Sequence, residues 1–328
     1  MILSITKNKI IGFLLLLVII SIATNIFLYF KDEPVEDTQE RDFAFVEPSL
    51  AEMDQEYFRN NKKYYQTNFL PLRELLNQTI QSQKKAVHGI YFESLNTGSW
   101  IGINEKKGFV PASLLKIAIV TAALKKIEEE ELTPDTLITV QPKDINTLYG
   151  AIGLIKAGDQ YTVLELINYT FYYSDNTAAN ALMQVLTKDE FQETAFRIGI
   201  SYRATKNLTK SGDLLVSPRD FSNIFRSLYY SNYLKRKNSN LVLSYLTQTA
   251  FRQGLPAGVP PEIIVSHKVG YRLDPQYGEE HHDCGIIYYP KVPYMLCIMT
   301  IGFTQQEADS AIEDLSKITY DYMRKQTS

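Results

Sequence analysis

An α+β fold is predicted by where two kinds of signal fall along the chain. Strand-like runs with turn residues between them occur close to residue 90 and again after residue 264. Between these runs lie apolar stretches at helical spacing, several of them opened by a helix-start signature. Strands at both ends of one region, with helices between, imply an antiparallel sheet assembled from both termini and packed against a helical middle.

The chain opens with an apolar run. Ile10 to Phe30 carries no charge, and as a helix it would be roughly 31 Å long, about the hydrocarbon thickness of a bilayer. Lys7 and Lys9 precede it; Asp32, Glu33, Glu36 and Asp37 follow. The positive-inside rule then places residues 1–9 in the cytoplasm, residues 10–30 in the membrane as a single-pass anchor, and the remainder outside. A cleavable signal peptide is the rival reading, because Ser21-Ile22-Ala23 loosely fits a small-x-small cleavage site. Residues 31–60 are acidic and poor in aliphatic side chains, the composition of a solvated extracytoplasmic stalk. Residues 61–328 form the folded domain.

Within that domain, Leu72, Leu75, Leu76 and Ile80 recur at helical spacing behind Pro71, a proline suited to a first turn. "AVHGIYFESLNTGSWIGI" reads as two strands around a turn at Asn96-Thr97-Gly98. A long helix follows Pro111. Thr162 with Glu165, Thr187 with Glu190 and Thr304 with Glu307 are spaced as capping boxes. Ser217-Pro218 starts a further helix by cap plus proline. "DCGIIYYPKVPYMLCIMTIGF" reads as a hairpin around Pro290-Lys291.

Composition narrows the classes. The 328 residues are 45% apolar, with 37 acids against 34 Lys plus Arg. That suits a folded protein and gives no support for nucleic-acid binding. Cys284 and Cys297 are the only cysteines; outside the membrane they could pair, but two make no disulfide framework. The scattered histidines show no zinc spacing.

Three short stretches carry chemistry. Ser113 and Lys116, in "PASLLK", are nearly one helical turn apart and share a face. The turns beyond them are apolar almost all round, so the Lys116 ammonium is desolvated and its pKa lowered, as a base requires. Ser174-Asp175-Asn176 falls between two helices, where a polar triplet also serves as turn and cap. Lys268-Val269-Gly270 lies on a strand shortly before the hairpin; taken alone, Lys268 reads as an edge-strand lysine that prevents aggregation.

In this order the three stretches resemble the motif set of class A β-lactamases and penicillin-binding proteins, and the resemblance runs from about residue 62 to 328. It implies Ser113 as nucleophile and Lys116 as principal base or proton relay. Ser174 passes a proton to the leaving nitrogen, Asn176 orients Lys116 and the substrate carbonyl, and Asp175 is structural. Lys268 supplies positive charge near Ser174 and a substrate carboxylate, and the Gly270 strand holds an extended substrate. Backbone N–H groups of Ser113 and Tyr271 form the oxyanion hole. Neither cofactor nor metal is called for.

Two departures from the pattern stand out. The loop from Ile200 to Ser217, where class A β-lactamases carry the glutamate that activates the deacylating water, contains no glutamate; its one carboxylate is Asp213. Val269 replaces the usual Thr or Ser, a loss of about 1.5 to 3 kcal/mol if nothing else bonds the substrate's charged group. Arg272 is placed to compensate with its guanidinium fork. His267, His281 and His282 read as surface histidines. The leading expectation is a membrane-anchored, exported serine acyl-transfer enzyme that takes β-lactams and deacylates slowly. A DD-peptidase or transpeptidase acting on peptidoglycan stem peptides is the enzymatic alternative. A binding protein that traps an acyl adduct is the non-enzymatic one. Oligomeric state is not legible.

Overall fold

The computed structural model describes residues 43–47, 68–83, 85–200, 214–274 and 278–327. The expected cytoplasmic tail and membrane anchor, most of the stalk, and Asp213 with most of its loop lie outside the described residues. Among the described residues no helix is long and apolar enough to cross a membrane.

The first element is α1, Leu70–Ser82, with Pro71 in its first turn. Leu72 and Leu76 are buried on one stripe, whereas Leu75 falls on the outer side and is exposed. The strand pair β1, Val87–Ser94, and β2, Trp100–Ile103, follows. Gly98 closes their turn with φ +68°, a conformation that glycine adopts without steric cost.

The helical middle starts at Ala112. A 3₁₀ turn, Ala112–Leu115, precedes α2, Lys116–Glu128. This corrects the expectation that the long helix runs on directly from Pro111. Ala112 has φ +49°, and a left-handed residue breaks the α-helical run. Then come the short pair β3, Leu137–Thr139, and β4, Gln160–Thr162. After it stand α3, Val163–Tyr172, α4, Asn176–Leu182, and α5, Lys188–Arg197. Further along are α6, Pro218–Tyr229, and α7, Arg236–Thr247. Thr162 and Thr187 close full capping boxes with Glu165 and Glu190, and the Ser217 hydroxyl accepts from the Asp220 N–H.

The last third supplies β5, Val265–Asp274, β6, Gly278–Ile287, and β7, Tyr294–Ile301, closed by α8, Gln305–Thr327. The main sheet runs β2-β1-β7-β6-β5, every neighbour antiparallel. Period-two alternation sends Tyr91, Met295, Cys297 and Met299 into one core with the helical middle. Ile90, Phe92, Leu296 and Ile298 enter a second core with α1 and α8. The sheet is therefore covered on both faces, and β5 is left as an edge beside the Ser113 turn. Cys284 and Cys297, directly opposite on β6 and β7, form a disulfide.

Residues 43–47, assigned to the stalk, are not solvated chain. Val46 is buried, and Phe43 and Phe45 pack against the core. The Phe45 N–H donates to Asn240 Oδ1 at 2.9 Å, and the Glu47 N–H to the Tyr229 carbonyl at 2.8 Å. Two phenylalanines and a valine packed within five residues outweigh the acidic surroundings that suggest a stalk.

Candidate active site

Ser113 lies where three segments meet: its own 3₁₀ turn, the turn between α3 and α4, and the edge strand β5. Lys116 is 6% exposed although it is a lysine, because α2 is buried almost all round. Its Nζ lies 3.1 Å from Ser113 Oγ, 2.6 Å from Asn176 Oδ1 and 3.2 Å from Ser174 Oγ, and it also donates to the Ser174 carbonyl. Burial pulls its pKa down from 10.5 to about 8, opposed by the charge of Asp175.

The turn carrying Ser174 is shaped by its neighbours. Asp175 caps α4, accepting from the Ala178 N–H at 2.7 Å with one oxygen and from the Ala151 N–H at 2.8 Å with the other. Ser174 itself has φ +53°, a strained value for a serine and one that needs its surroundings to hold it. The Asn176 amide is oriented from both ends, since its Nδ2 donates to Asn146 Oδ1 at 3.2 Å while Oδ1 receives Lys116. Asn146 was not legible as a site residue. Nothing in its local sequence distinguishes it from a loop asparagine.

Lys268 reaches the same place from β5. It is fully buried, and its Nζ donates to Ser174 Oγ at 2.7 Å and to the Val269 carbonyl at 3.0 Å. Burial drives its pKa well below the ordinary lysine value; the Lys116 charge adds to this and Asp283 opposes it. The Phe251 ring faces the ammonium at 5.7 Å, a contact worth more where water is excluded. Lys268 is thus on an edge strand, as expected, but it points into the protein rather than guarding the edge.

Ser113, Ser174, Asn176, Val269, Tyr271 and Arg272 line one cleft, joined by Leu148, Tyr149 and Leu273. Gly270 stands where β5 meets the Ser113 turn; a Cβ there would lie 2.8 Å from the Pro111 carbonyl oxygen and 3.0 Å from Leu114. Leu148 and Leu273 are 86% and 62% exposed, an apolar rim with no local motif to mark it as part of a site.

The three histidines correct the surface reading, being 1%, 5% and 2% exposed for His267, His281 and His282. Each has found polar partners that make burial tolerable. His267 Nδ1 is 2.8 Å from Asp283 Oδ1, His281 Nε2 is 2.9 Å from Glu279 Oε2, and His282 Nε2 is 2.9 Å from the Val110 carbonyl.

A serine, two buried lysines, a second serine and an oriented asparagine, on this sheet order, coincide with a match of residues 71–323 to the beta-lactamase enzyme family. The chain belongs to that family. It is a serine hydrolase of the β-lactamase type. A curated relative, β-lactamase VEB-1 of Pseudomonas aeruginosa, is 20% identical over 263 residues, covering 75% of this chain and 88% of its own. Among solved structures, PBP-A aligns with TM-score 0.68 at 23% identity, over 78% of this chain and 96% of its own. A PBP-A mutant captured as an acyl-enzyme complex with penicillin G aligns with the same score over 97% of its length. A β-lactamase from Sphaerobacter thermophilus also gives 0.68, at 17% identity, over 78% and 97% of the two chains. At these identities the structural likeness speaks for the fold, and the family match carries the membership.

Proposed function

We propose that this family member is an exported, membrane-anchored enzyme acylated at Ser113 by a β-lactam or related amide, and deacylated slowly. The observation that carries the reading is the unbroken hydrogen-bonded path from Ser113 Oγ through Lys116 Nζ and Ser174 Oγ to Lys268 Nζ. The acyl-enzyme complex of the PBP-A mutant with penicillin G is consistent with it.

In this mechanism Lys116, as the neutral amine, accepts the Ser113 proton while Oγ bonds to the lactam carbonyl carbon. The backbone N–H groups of Ser113 and Tyr271 receive the developing oxyanion. The C–N bond then breaks. The leaving nitrogen takes the Ser174 hydroxyl proton, and Lys116, now an ammonium 3.2 Å from Ser174 Oγ, restores it. No net proton is gained or lost, and Lys116 ends neutral beside an ester. Lys268 holds Ser174 in place and, with Arg272, draws the substrate carboxylate, which Val269 cannot bond.

Ester hydrolysis needs a water with its own base. The Ile200 to Ser217 segment supplies no glutamate, which favours slow release and keeps peptidoglycan stem peptides as a second candidate substrate. Intact-mass measurement of the exported domain mixed with benzylpenicillin separates the cases. An adduct on Ser113 that persists for many minutes is expected. No adduct would overturn the reading, and a fleeting adduct with fast product release would make the enzyme an efficient β-lactamase.

A further inference from the structure

Ser113 and Tyr271 sit on different elements, a 3₁₀ turn and an edge strand, so the register between those elements decides whether their N–H groups converge. The chain entering the Ser113 turn is fixed in two successive steps. Phe109 exchanges both backbone bonds with Val216, at 3.0 and 2.8 Å. The next residue, Val110, is fixed by side chains instead. Its N–H donates to Glu280 Oε2 at 2.9 Å, and its carbonyl lies 2.9 Å from His282 Nε2.

The tautomer follows from the second ring nitrogen. His282 Nδ1 accepts from the Thr300 N–H at 3.3 Å, so in this arrangement the proton is on Nε2, which donates to the Val110 carbonyl. Glu280 and His282 are buried, and the Phe109 ring packs edge-on against the imidazole at 5.8 Å. Both side chains belong to β6, where Arg272 pairs with Glu280 and Gly270 with His282. They therefore stand opposite the two residues that flank Tyr271. The missing Cβ of Gly270 lets the Pro111 carbonyl and Leu114 close on the strand.

We propose that Glu280 and His282 are positioning residues for acyl transfer, a two-point clamp on Val110 that sets the Ser113 turn against the Tyr271 strand and so sets the width of the oxyanion hole. This inference rests on the proposed acylation at Ser113. Neither side chain touches substrate in this role; each acts through the backbone of Val110. Bonds to the peptide groups on both sides of the Val110 Cα fix the residue's tilt as well as its place, which one bond cannot do. A misplacement near 1 Å at reacting groups costs on the order of 100-fold in rate.

The test compares wild type with Glu280→Ala and His282→Ala, and with the conservative Glu280→Gln and His282→Gln. Gln can still accept from the Val110 N–H at position 280 and still donate to its carbonyl at position 282. Acylation by benzylpenicillin is followed over a range of concentrations to separate the acylation rate from the binding constant. The ester carbonyl stretch of the acyl-enzyme is read by infrared difference spectroscopy with a ¹³C-labelled lactam carbonyl. The alanine variants are expected to acylate about 10- to 100-fold more slowly, with binding changed less than about threefold. Their ester band should move to higher wavenumber, toward that of an ester without oxyanion-hole donors, while the glutamine variants recover most of both. If the alanine variants do not fold, a glutamine variant with a partial shift of the band supports the clamp. Folded variants with wild-type rates and an unmoved band would overturn it and leave acylation at Ser113 standing. A wild type that benzylpenicillin never acylates would overturn the proposed function and this inference together.

Discussion

Lys268 Nζ lies 2.7 Å from Ser174 Oγ, across 94 residues of sequence, and Lys116 Nζ approaches the same oxygen at 3.2 Å. Two amines converging on one hydroxyl in a buried site cannot both carry a proton cheaply, because each charge is desolvated and repels the other. The fold uses this. Lys116 is brought into the range where a base works near neutral pH, and burial together with the Lys116 charge holds Lys268 below the ordinary lysine value, with Asp283 opposing.

The sign of the pH dependence follows. With its pKa lowered to about 8, Lys116 is about one-tenth neutral at pH 7 and mostly neutral by pH 9. The acylation rate at low substrate should therefore rise with pH and level off above about 8. Labelling rates between pH 6 and 9.5 check this, with melting curves at each pH to exclude unfolding. A flat profile would falsify the assignment of neutral Lys116 as the base.

Ser113→Ala should abolish covalent labelling and leave the melting temperature nearly unchanged, since it removes one oxygen at the cleft wall. Lys116→Ala should slow acylation by about 10² to 10⁴-fold, the ordinary worth of general-base assistance. Adduct mass by intact-protein spectrometry measures both. Labelling that persists in Ser113→Ala would move the nucleophile elsewhere.

Gly270→Ala should damage activity and stability together. The new methyl would meet the Pro111 carbonyl oxygen at 2.8 Å and Leu114 at 3.0 Å, and backbone cannot swing away as a side-chain tip can. Overpacking of this kind costs about 1 to 3 kcal/mol, readable as a lower denaturant midpoint, and the forced separation of β5 from the Ser113 turn should slow acylation. A variant as stable and as active as wild type would show that the two segments are not in register-dependent contact.

Turnover should begin with a burst of product equal to the enzyme concentration, followed by a slow steady rate. Asp213→Asn is expected to leave that slow rate within about twofold, because aspartate is shorter than glutamate and stands near the end of the loop. Stopped-flow absorbance of a chromogenic cephalosporin reports both phases. Fast steady turnover abolished by Asp213→Asn would identify this carboxylate as the base for water.

Much of this was legible in the sequence, for local reasons. Capping boxes at Thr162 and Thr187 involve four consecutive residues, so the pattern and the structure are nearly the same statement. Ser113, Lys116, Ser174, Asn176 and Lys268 could be picked out because each sits in a short motif. The failures were non-local. His281 and His282 looked like exposed strand residues because their partners, Glu279 apart, lie on other segments: the Val110 carbonyl and the Thr300 N–H. Asn146 and Leu148 were invisible because only the folded loop brings them to the cleft. The 3₁₀ turn at Ser113 is not legible because a positive φ at Ala112 has no compositional mark.

The pairing of β1 with β7, in which Val87 faces Ile301, has a consequence for the growing chain. A ribosome finishes β1 and β2 long before it makes the strand that separates them from β5 and β6. Until then the inner edge of β1 is a row of open N–H and C=O groups beside apolar side chains, which is what recruits chaperones or seeds aggregates. Contacts of such long sequence separation also form late in folding. A chain cut short before Tyr294 would keep the Ser113 turn and the Lys268 strand yet lack the strand that joins β1 and β2 to β6 and β5 in one sheet. Such a fragment should be a substrate for proteases rather than a weak enzyme.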